Sequence, residues 1–193
     1  MKEIILASSS PRRHELLDQV GIEHKVMKSK FMEKFDEYSL PHEIVVSFAL
    51  KKAEYVAKMV DNNQTIVIGA DTLVVYKGQI LGKPRNAKNA RQMLEMLNDQ
   101  THEVLTGFAV IDVETGKTVT DYESTLVKFR EISPKELAAY AKSNESRDKA
   151  GGYAIQGKAA KFIESIEGEY STVVGLPLSR LTQVLEKEFK YMV

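Results

Sequence analysis

Three hydroxyl groups and two guanidinium groups lie together in residues 8–13, directly after an apolar run. The apolar residues 4–7 predict a buried strand, and residues 11–20 predict a helix. Ser10 suits the N-cap of that helix, and Pro11 suits its first position. A helix N-terminus attracts anions through its N–H groups and dipole, and arginine adds a forked donor that matches phosphate oxygens. The segment therefore indicates either a phosphate site or an ordinary capped helix with two surface arginines.

Asp71 stands out among the carboxylates because it lies inside the apolar run of residues 65–76. That run predicts a strand interrupted at residues 69–72. A carboxylate in such a run is costly to bury unless it is paired, hydrogen-bonded or bound to a metal. Buried carboxylates cluster at functional sites, so we favour a functional Asp71 over an acid that merely ends a strand. Gly69 would let another group approach the strand backbone closely.

Two lysines and a glutamine are weaker candidates. Lys83 lies between glycine and proline, where it could reach a phosphate or simply occupy a turn. Lys52 lies beside the apolar face of a helix predicted over residues 41–60, and a surface lysine is its simplest interpretation. Gln156, in the glycine-bearing residues 148–157, could read the edge of a base or bond to its own loop.

The acidic segment of residues 31–40 carries Glu33, Asp36 and Glu37 and predicts a loop. Together with Asp71, these carboxylates could hold a divalent cation such as Mg²⁺ or Mn²⁺, which prefer oxygen ligands. The alternative is a solvated acidic loop with no bound ion.

The elements that must position these residues alternate along the chain. Strands are predicted at residues 3–7, 23–29, 65–76, 79–81, 102–113, 118–129 and 161–166, and helices at residues 11–20, 41–60, 87–97, 134–142 and from 177 onward. A hairpin at residues 114–117 is antiparallel, whereas strand–helix units favour parallel pairing. The pattern predicts an α/β protein with a mixed sheet.

Composition narrows the class of protein. The 193 residues fit one domain spanning residues 1–193, with room for two lobes. The 27 basic and 27 acidic residues balance, which argues against nucleic-acid binding but leaves a local basic pocket open. Cysteine is absent, so disulfides and thiolate catalysis are excluded. No segment is apolar and long enough to span a bilayer, so we expect a cytoplasmic protein with no membrane partner.

Several common motifs are missing from the chain. It has no P-loop, no Gly-x-Gly-x-x-Gly and no Gly-x-Ser-x-Gly. The histidines show no metal-ligand spacing; they are His14, His24, His42 and His102.

Short motifs follow one another in a recognisable order. They are Ser-x-Ser-Pro-Arg-Arg at 8–13, Gly-Ala-Asp-Thr at 69–72, Gly-Lys-Pro at 82–84, Thr-Gly at 106–107, Asp-Lys-Ala-Gly and Ile-Gln-Gly within 148–157, and Gly-Leu-Pro at 175–177. Because its motifs occur in this order, the chain resembles the Maf family of nucleoside triphosphate pyrophosphatases over nearly its whole length. The resemblance implies an elongated α/β fold with a mixed sheet and flanking helices, related to the inosine triphosphate pyrophosphatases. It also implies a nucleotide cleft between two lobes, and metal-dependent hydrolysis of a nucleoside triphosphate to the monophosphate and pyrophosphate.

The resemblance also implies roles for individual residues. The proton acceptor of the family matches Asp71, and its acidic metal residue matches Glu33, with Asp36 and Glu37 as alternatives in a loosely aligned loop. The divalent metal, Mg²⁺ or Mn²⁺, would then be held by Glu33 and Asp71. The phosphate-binding positions of the family match Ser8, Ser10, Arg12, Arg13, Lys52 and Lys83.

Substrate choice within the family depends on a few positions. Arg12, Thr72 and Gln156 match the dTTP/UTP branch rather than the 7-methyl-GTP branch. The chain departs locally from the pattern, because Gly152 and Ala154 flank a tyrosine where the family has alanine and then glycine. The alternatives are the 7-methyl-GTP branch and a nucleotide-sensing regulator of septum formation. The expected partner is the nucleoside triphosphate itself, with no nucleic acid, and a homodimer is left open.

Overall fold

The computed structural model describes residues 2–32 and 39–193, which alternate between strands and helices. The strands in these residues are β1 (Glu3–Leu6), β2 (His24–Val26), β3 (Thr65–Tyr76), β4 (Gln79–Leu81), β5 (Thr101–Asp112), β6 (Thr118–Phe129) and β7 (Ile163–Glu167). The α-helices there are α1 (Pro11–Gln19), α2 (Pro41–Ala57), α3 (Ala87–Leu97), α4 (Pro134–Ala141), α5 (Tyr170–Val174) and α6 (Leu178–Phe189). Short 3-10 helices lie at Asn144–Ser146, Ala150–Gly152 and Lys158–Phe162.

The seven strands of the described residues form one sheet in the order β2-β1-β3-β5-β6-β7, and β4 pairs with β3. Strand β1 pairs in parallel with β2 and β3, so that Ile4 lies opposite both His24 and Ile66. Strands β3 and β4 form an antiparallel hairpin whose turn residues, Lys77 and Gly78, have φ of 49° and 77°. Positive φ at both positions is what a two-residue hairpin turn of type I′ requires. The predicted α/β class, with a mixed sheet and flanking helices, is confirmed.

The chain divides into two compact units. Unit 1 comprises Met1–Asp71, Thr106–Glu123 and Gly175–Val193, and unit 2 comprises Thr72–Leu105 and Ser124–Val174. Each unit is therefore assembled from segments that are distant in the sequence.

In unit 1, helix α2 packs against the sheet at two glycines. A Cβ at Gly69 of β3 would overlap the carbonyl oxygen of Ala49, and a Cβ at Gly107 of β5 would lie 2.6 Å from the carbonyl carbon of Val45. Since both obstacles are helix backbone, only glycine permits this approach. The predicted close contact at Gly69 is confirmed, and the group that approaches is the backbone of α2. Apolar side chains, Val67 among them, fill the space beside these contacts.

In unit 2, aromatic side chains surround a buried histidine. Nε2 of His102 lies 2.7 Å from the hydroxyl of Tyr153, and both rings pack edge-on against Phe129. Burial lowers the pKa of His102 to about 4 and raises the pKa of Tyr153, since burial disfavours the charged form of each group. Both side chains are therefore neutral near pH 7, and they serve the core of this unit.

Strand β3 corrects one prediction from the sequence. The strand runs without a break through residues 69–72, so Asp71 lies inside it rather than at its end. The Gly-Ala-Asp-Thr sequence has the composition of a turn, but its members are buried or partly buried in the sheet.

Element boundaries differ from the predictions by more than one residue at three further places. Helix α2 ends at Ala57 rather than at residue 60, because Met59 N–H bonds the carbonyl of Val56 and tightens the last turn. Strand β2 spans three residues, and β7 begins at Ile163 after a 3-10 helix. Helix α5 was not predicted, since five residues are too few to show a periodicity.

No helix among the described residues is both long enough and apolar enough to cross a membrane.

Candidate active site

The segment before α1 is organised around the hydroxyl of Ser8. Ser8 is buried, and its Oγ accepts a hydrogen bond from the N–H of Ser10 at 3.1 Å. Ser10 occupies the predicted N-cap position, but its side chain makes no capping hydrogen bond. The prediction that Ser10 is the N-cap of α1 is therefore confirmed, and the turn before the helix is held by the hydroxyl of Ser8.

Arg13 ties this segment to a distant part of unit 1. Its Nε donates to the carbonyl oxygen of Gly175 at 2.6 Å, and its Nη1 donates to Oγ of Ser8 at 3.3 Å. Gly175 has φ of 133°, a conformation that favours glycine, so the Gly-Leu-Pro motif presents its carbonyl at this point. Arg13 therefore positions the start of α1, whereas the neighbouring Arg12 is partly exposed at the same helix end.

Asp71 and Lys52 form a buried ion pair in unit 1. Nζ of Lys52 lies 2.5 Å from Oδ1 of Asp71, and their side chains are 14% and 9% exposed. Lys52 is therefore not the surface lysine that its position on α2 suggests. Burying a carboxylate is costly without a partner, so the ion pair helps to explain how Asp71 is tolerated inside the sheet.

Local geometry explains why these two side chains meet. Asp71 follows Gly69 by two residues in β3, so both project from the face that contacts α2. Lys52 follows Ala49, which contacts Gly69, by almost one helical turn. Because the backbone of α2 packs closely on β3 at Gly69, Lys52 lies next to Asp71.

Lys83 and Thr72 belong to unit 2. Nζ of Lys83 lies 3.0 Å from Oδ1 of Asp148, and both side chains are well exposed. The N–H of Gly151 donates to the carbonyl of Gly82 at 3.2 Å, which joins the two glycine-bearing segments of this unit. Thr72 directly follows Asp71 in β3 and is partly buried.

Gln156 lies exposed in a tight turn, and Glu145, which was not a predicted site residue, holds this turn. The carboxylate of Glu145 accepts the N–H of Lys158 at 2.9 and 3.2 Å. A Cβ at Gly157 would overlap the same carboxylate, so the side chain of Glu145 would have to shift if this position carried a larger residue. Glu145 therefore positions the turn and leaves the amide of Gln156 facing outward; no motif in the sequence marks this role.

Glu33, Asp36 and Glu37 lie outside the described residues. Of the predicted metal ligands, Asp71 is the one that lies in the part of the chain that the structure describes. Mg²⁺ is commonly held by one or two carboxylates together with the phosphates of the substrate, so this donor chemistry fits Mg²⁺ or Mn²⁺.

Two of the histidines lie close together in the fold. Within residues 2–32 and 39–193, His14, Asp18 and His24 bring ligand atoms within 4.8 Å of one another. The positions of His14 and His24 in the sequence did not indicate this proximity, which the fold creates. The spacing of four residues between His14 and Asp18 on α1 could have revealed half of this cluster.

Comparisons with known proteins indicate the same family as the order of the motifs. The family model described as Maf-like protein matches residues 3–188. A protein of Bacillus cereus (strain ATCC 10987 / NRS 248) named dTTP/UTP pyrophosphatase is 50% identical over 187 residues, which cover 97% of this chain and 90% of that protein. A Bacillus anthracis protein of the same name is 49% identical, with 97% and 96% covered. The solved structure of the Staphylococcus aureus Ham1 protein aligns at 17% identity with a TM-score of 0.44, covering 66% of this chain and 72% of that one.

Proposed function

The chain belongs to the Maf family, and from this premise we propose that it hydrolyses dTTP and UTP to the nucleoside monophosphate and pyrophosphate. Support for this substrate choice comes from its 50% identity, over 97% of the chain, to a protein named dTTP/UTP pyrophosphatase. The observation that supports hydrolysis is the buried ion pair between Lys52 and Asp71. A hydrolase needs such an acid, whereas a protein that only binds nucleotides does not.

Asp71 orients and deprotonates the attacking water. The water oxygen bonds to the α-phosphorus, the bond to the bridging oxygen of the β-phosphate breaks, and pyrophosphate leaves. Lys52 fixes the direction of the carboxylate, because its Nζ contacts one carboxylate oxygen at 2.5 Å. A general base in this role contributes about 10²–10⁴-fold to the rate.

The N-terminus of α1 binds the phosphate chain. Its N–H groups and dipole attract the negative charge, and Arg12 adds a forked donor to phosphate oxygens. Ser10 offers a hydroxyl that is not engaged in capping the helix. Arg13 and Ser8 hold this segment in place through their mutual hydrogen bond and the contact of Arg13 with Gly175.

A divalent cation, Mg²⁺ or Mn²⁺, would be held by Asp71 and by Glu33, with Asp36 and Glu37 as alternatives to Glu33. When bound, such a cation neutralises charge on the phosphate oxygens and so stabilises the transition state. The chain itself adds positive charge at Lys52 and, in unit 2, at Lys83. The cytoplasm, where nucleoside triphosphates are made and used, is where we expect the activity.

Base choice is assigned to Thr72 and Gln156 of unit 2. The exposed amide of Gln156 offers a donor and an acceptor, and uracil and thymine present a carbonyl, N–H, carbonyl edge that this amide matches. The turn beneath it is fixed by Glu145, so the amide is presented on a defined backbone. A site built for such hydrogen bonds loses about 1–3 kcal/mol for each buried group that a wrong base leaves unpaired.

A panel of triphosphates tests the proposal. We expect kcat/KM for dTTP and UTP to exceed that for dCTP, CTP, the common purine triphosphates and 7-methyl-GTP, all measured with Mg²⁺ or Mn²⁺. Gln156→Glu should narrow the preference for dTTP over dCTP more than it lowers the affinity for phosphate. If 7-methyl-GTP has the highest kcat/KM, the assignment to the dTTP/UTP branch is wrong, but the assignment as a pyrophosphatase is kept. If no triphosphate turns over and nucleotides only bind, the regulatory alternative is correct.

A further inference from the structure

A cluster of two histidines and a carboxylate lies on the part of unit 1 formed by α1 and β2. Nδ1 of His14 lies 2.6 Å from Nε2 of His24, and Nε2 of His14 lies 3.5 Å from Oδ2 of Asp18. Ligand atoms from all three residues fall within 4.8 Å of one another. None of these residues belongs to the phosphate-binding or catalytic set described above.

The buried member of the cluster has the hydrogen bond that a metal-binding histidine requires. The side chain of His24 is 0% exposed, and its Nδ1 lies 2.8 Å from the carbonyl oxygen of Ile22. Since a carbonyl only accepts, Nδ1 carries the proton and Nε2 presents its lone pair to the cluster. A histidine that binds a metal through one nitrogen usually donates its other N–H to such a carbonyl or carboxylate.

The chain builds this cluster by reversing direction at the end of α1. His14 and Asp18 lie four residues apart and so share one face of the helix. Gly21, with φ of 73°, ends the helix, and its N–H bonds the carbonyl of Asp18 at 3.0 Å. The turn brings His24, the first residue of β2, back against that face. The backbone of α1, of the turn at Gly21 and of β2 therefore sets the positions of the three residues.

From this geometry we propose that His14, Asp18 and His24 bind a transition-metal dication of the Zn²⁺, Co²⁺, Ni²⁺ class, with solvent completing the coordination. Two imidazoles and a carboxylate suit these ions, whereas Mg²⁺ and Ca²⁺ prefer oxygen ligands alone. Two nitrogens bound to one tetrahedral zinc lie roughly 3.3 Å apart, given Zn–N bonds of about 2.0–2.1 Å. The side chain of His14 is 47% exposed, so its ring can turn to open the present 2.6 Å separation.

A bound metal would link α1 to β2 on the C-terminal side of Arg12 and Arg13, which lie in the first turn of the helix. The site differs in chemistry from the catalytic one, which uses carboxylate and phosphate oxygens. It also stands independently of the proposed function, because no residue is shared between the two.

Cobalt binding to the untagged full-length protein tests the proposal. Tetrahedral or five-coordinate Co²⁺ with nitrogen ligands absorbs visible light more strongly than the hexaaqua ion, so a titration reports both stoichiometry and ligand type. We expect His14→Gln and Asp18→Asn each to weaken this binding by about tenfold or more, since even residues that only orient ligands change affinity by 10–100-fold. Both residues are well exposed, so neither substitution threatens the fold.

His42→Gln is the matched control, because His42 stacks on Tyr122 and lies outside the cluster. Asp71→Asn removes the carboxylate of the proposed catalytic site and leaves the histidine cluster unchanged. It should therefore leave the cobalt spectrum intact, which distinguishes the two sites. A parallel titration with Zn²⁺ should displace the cobalt and raise the unfolding temperature of the wild type more than that of His14→Gln. The proposal is overturned if His14→Gln binds cobalt as the wild type does, or if His42→Gln weakens binding equally. In the first case the cluster is a hydrogen-bonded chain, and in the second the binding is nonspecific.

Discussion

Replacing Asp71 by asparagine separates the catalytic role of this carboxylate from its structural role. The side chains of Lys52 and Asp71 are 14% and 9% exposed, and Nζ and Oδ1 lie 2.5 Å apart. Removing one partner of a buried pair costs about 3–5 kcal/mol when the other charge is left uncompensated. Asparagine keeps an oxygen that accepts from Lys52, so we expect Asp71→Asn to lose about 1–3 kcal/mol of unfolding free energy.

The expected loss of turnover is larger than this loss of stability can explain. A domain with about 5–15 kcal/mol of stability stays folded after losing 1–3 kcal/mol. The amide cannot accept the proton of the attacking water, so kcat should fall about 10²–10⁴-fold. Urea unfolding gives the folded fraction, and kcat and KM for dTTP are then measured under conditions where the variant is folded.

Asp112→Asn is the matched control for Asp71→Asn. Asp112 is a buried carboxylate in β5, and its Oδ1 lies 2.7 Å from Nζ of Lys2. This variant should lose stability but keep kcat. Near-normal kcat in Asp71→Asn, or an equal loss of kcat in both variants, would show that Asp71 is structural and refute the mechanism.

Four further predictions concern phosphate binding, positioning and pH. Arg12→Ala should lower kcat/KM for dTTP by about 10- to 100-fold, because a charged hydrogen bond to phosphate is worth about 1.5–3 kcal/mol. Arg13→Ala should lower the unfolding temperature, since Arg13 bonds Ser8 and the distant Gly175; an unfolding temperature equal to that of the wild type would contradict this positioning role. Gly69→Ala forces α2 away from β3, so it should cost about 1–3 kcal/mol in urea unfolding and also lower kcat. Its control, Gly82→Ala, meets no atom within 4 Å and should not change stability. Burial holds the pKa of His102 at about 4, below its ordinary 6.5. As the pH falls below 6.5 the unfolded chain therefore takes up a proton that the folded chain does not, and stability is lost, by about 2 kcal/mol between pH 7 and 5. His102→Gln should remove that part of the pH dependence in urea unfolding, and an unchanged slope would show that His102 is protonated in the fold.

Most of the element order follows from the sequence because periodicity and turn chemistry are local. Asn86 accepts the N–H of Asn89 at the start of α3, and Ser133 accepts that of Glu136 at the start of α4, because asparagine and serine side chains are favoured at helix N-caps. The break predicted within β3 is wrong because burial in the sheet overrides the turn-like composition of residues 69–72.

The candidate site was predictable residue by residue, but its contacts were not. The sequence marks Arg13, yet nothing local shows that it bonds Gly175, which lies 162 positions further along the chain. Lys52 has the features of a surface lysine until the contact of α2 with Gly69 is known. Glu145 has no motif, since its role is to accept one backbone N–H across a turn.

The most direct test of the central claim is hydrolysis of dTTP in water enriched in oxygen-18. Because water attacks the α-phosphorus, we expect equal amounts of dTMP and pyrophosphate as first products, with the heavy oxygen in dTMP. Orthophosphate and dTDP as first products would contradict the pyrophosphatase assignment. Heavy oxygen in pyrophosphate would place the attack on the β-phosphorus and contradict the role given to Asp71.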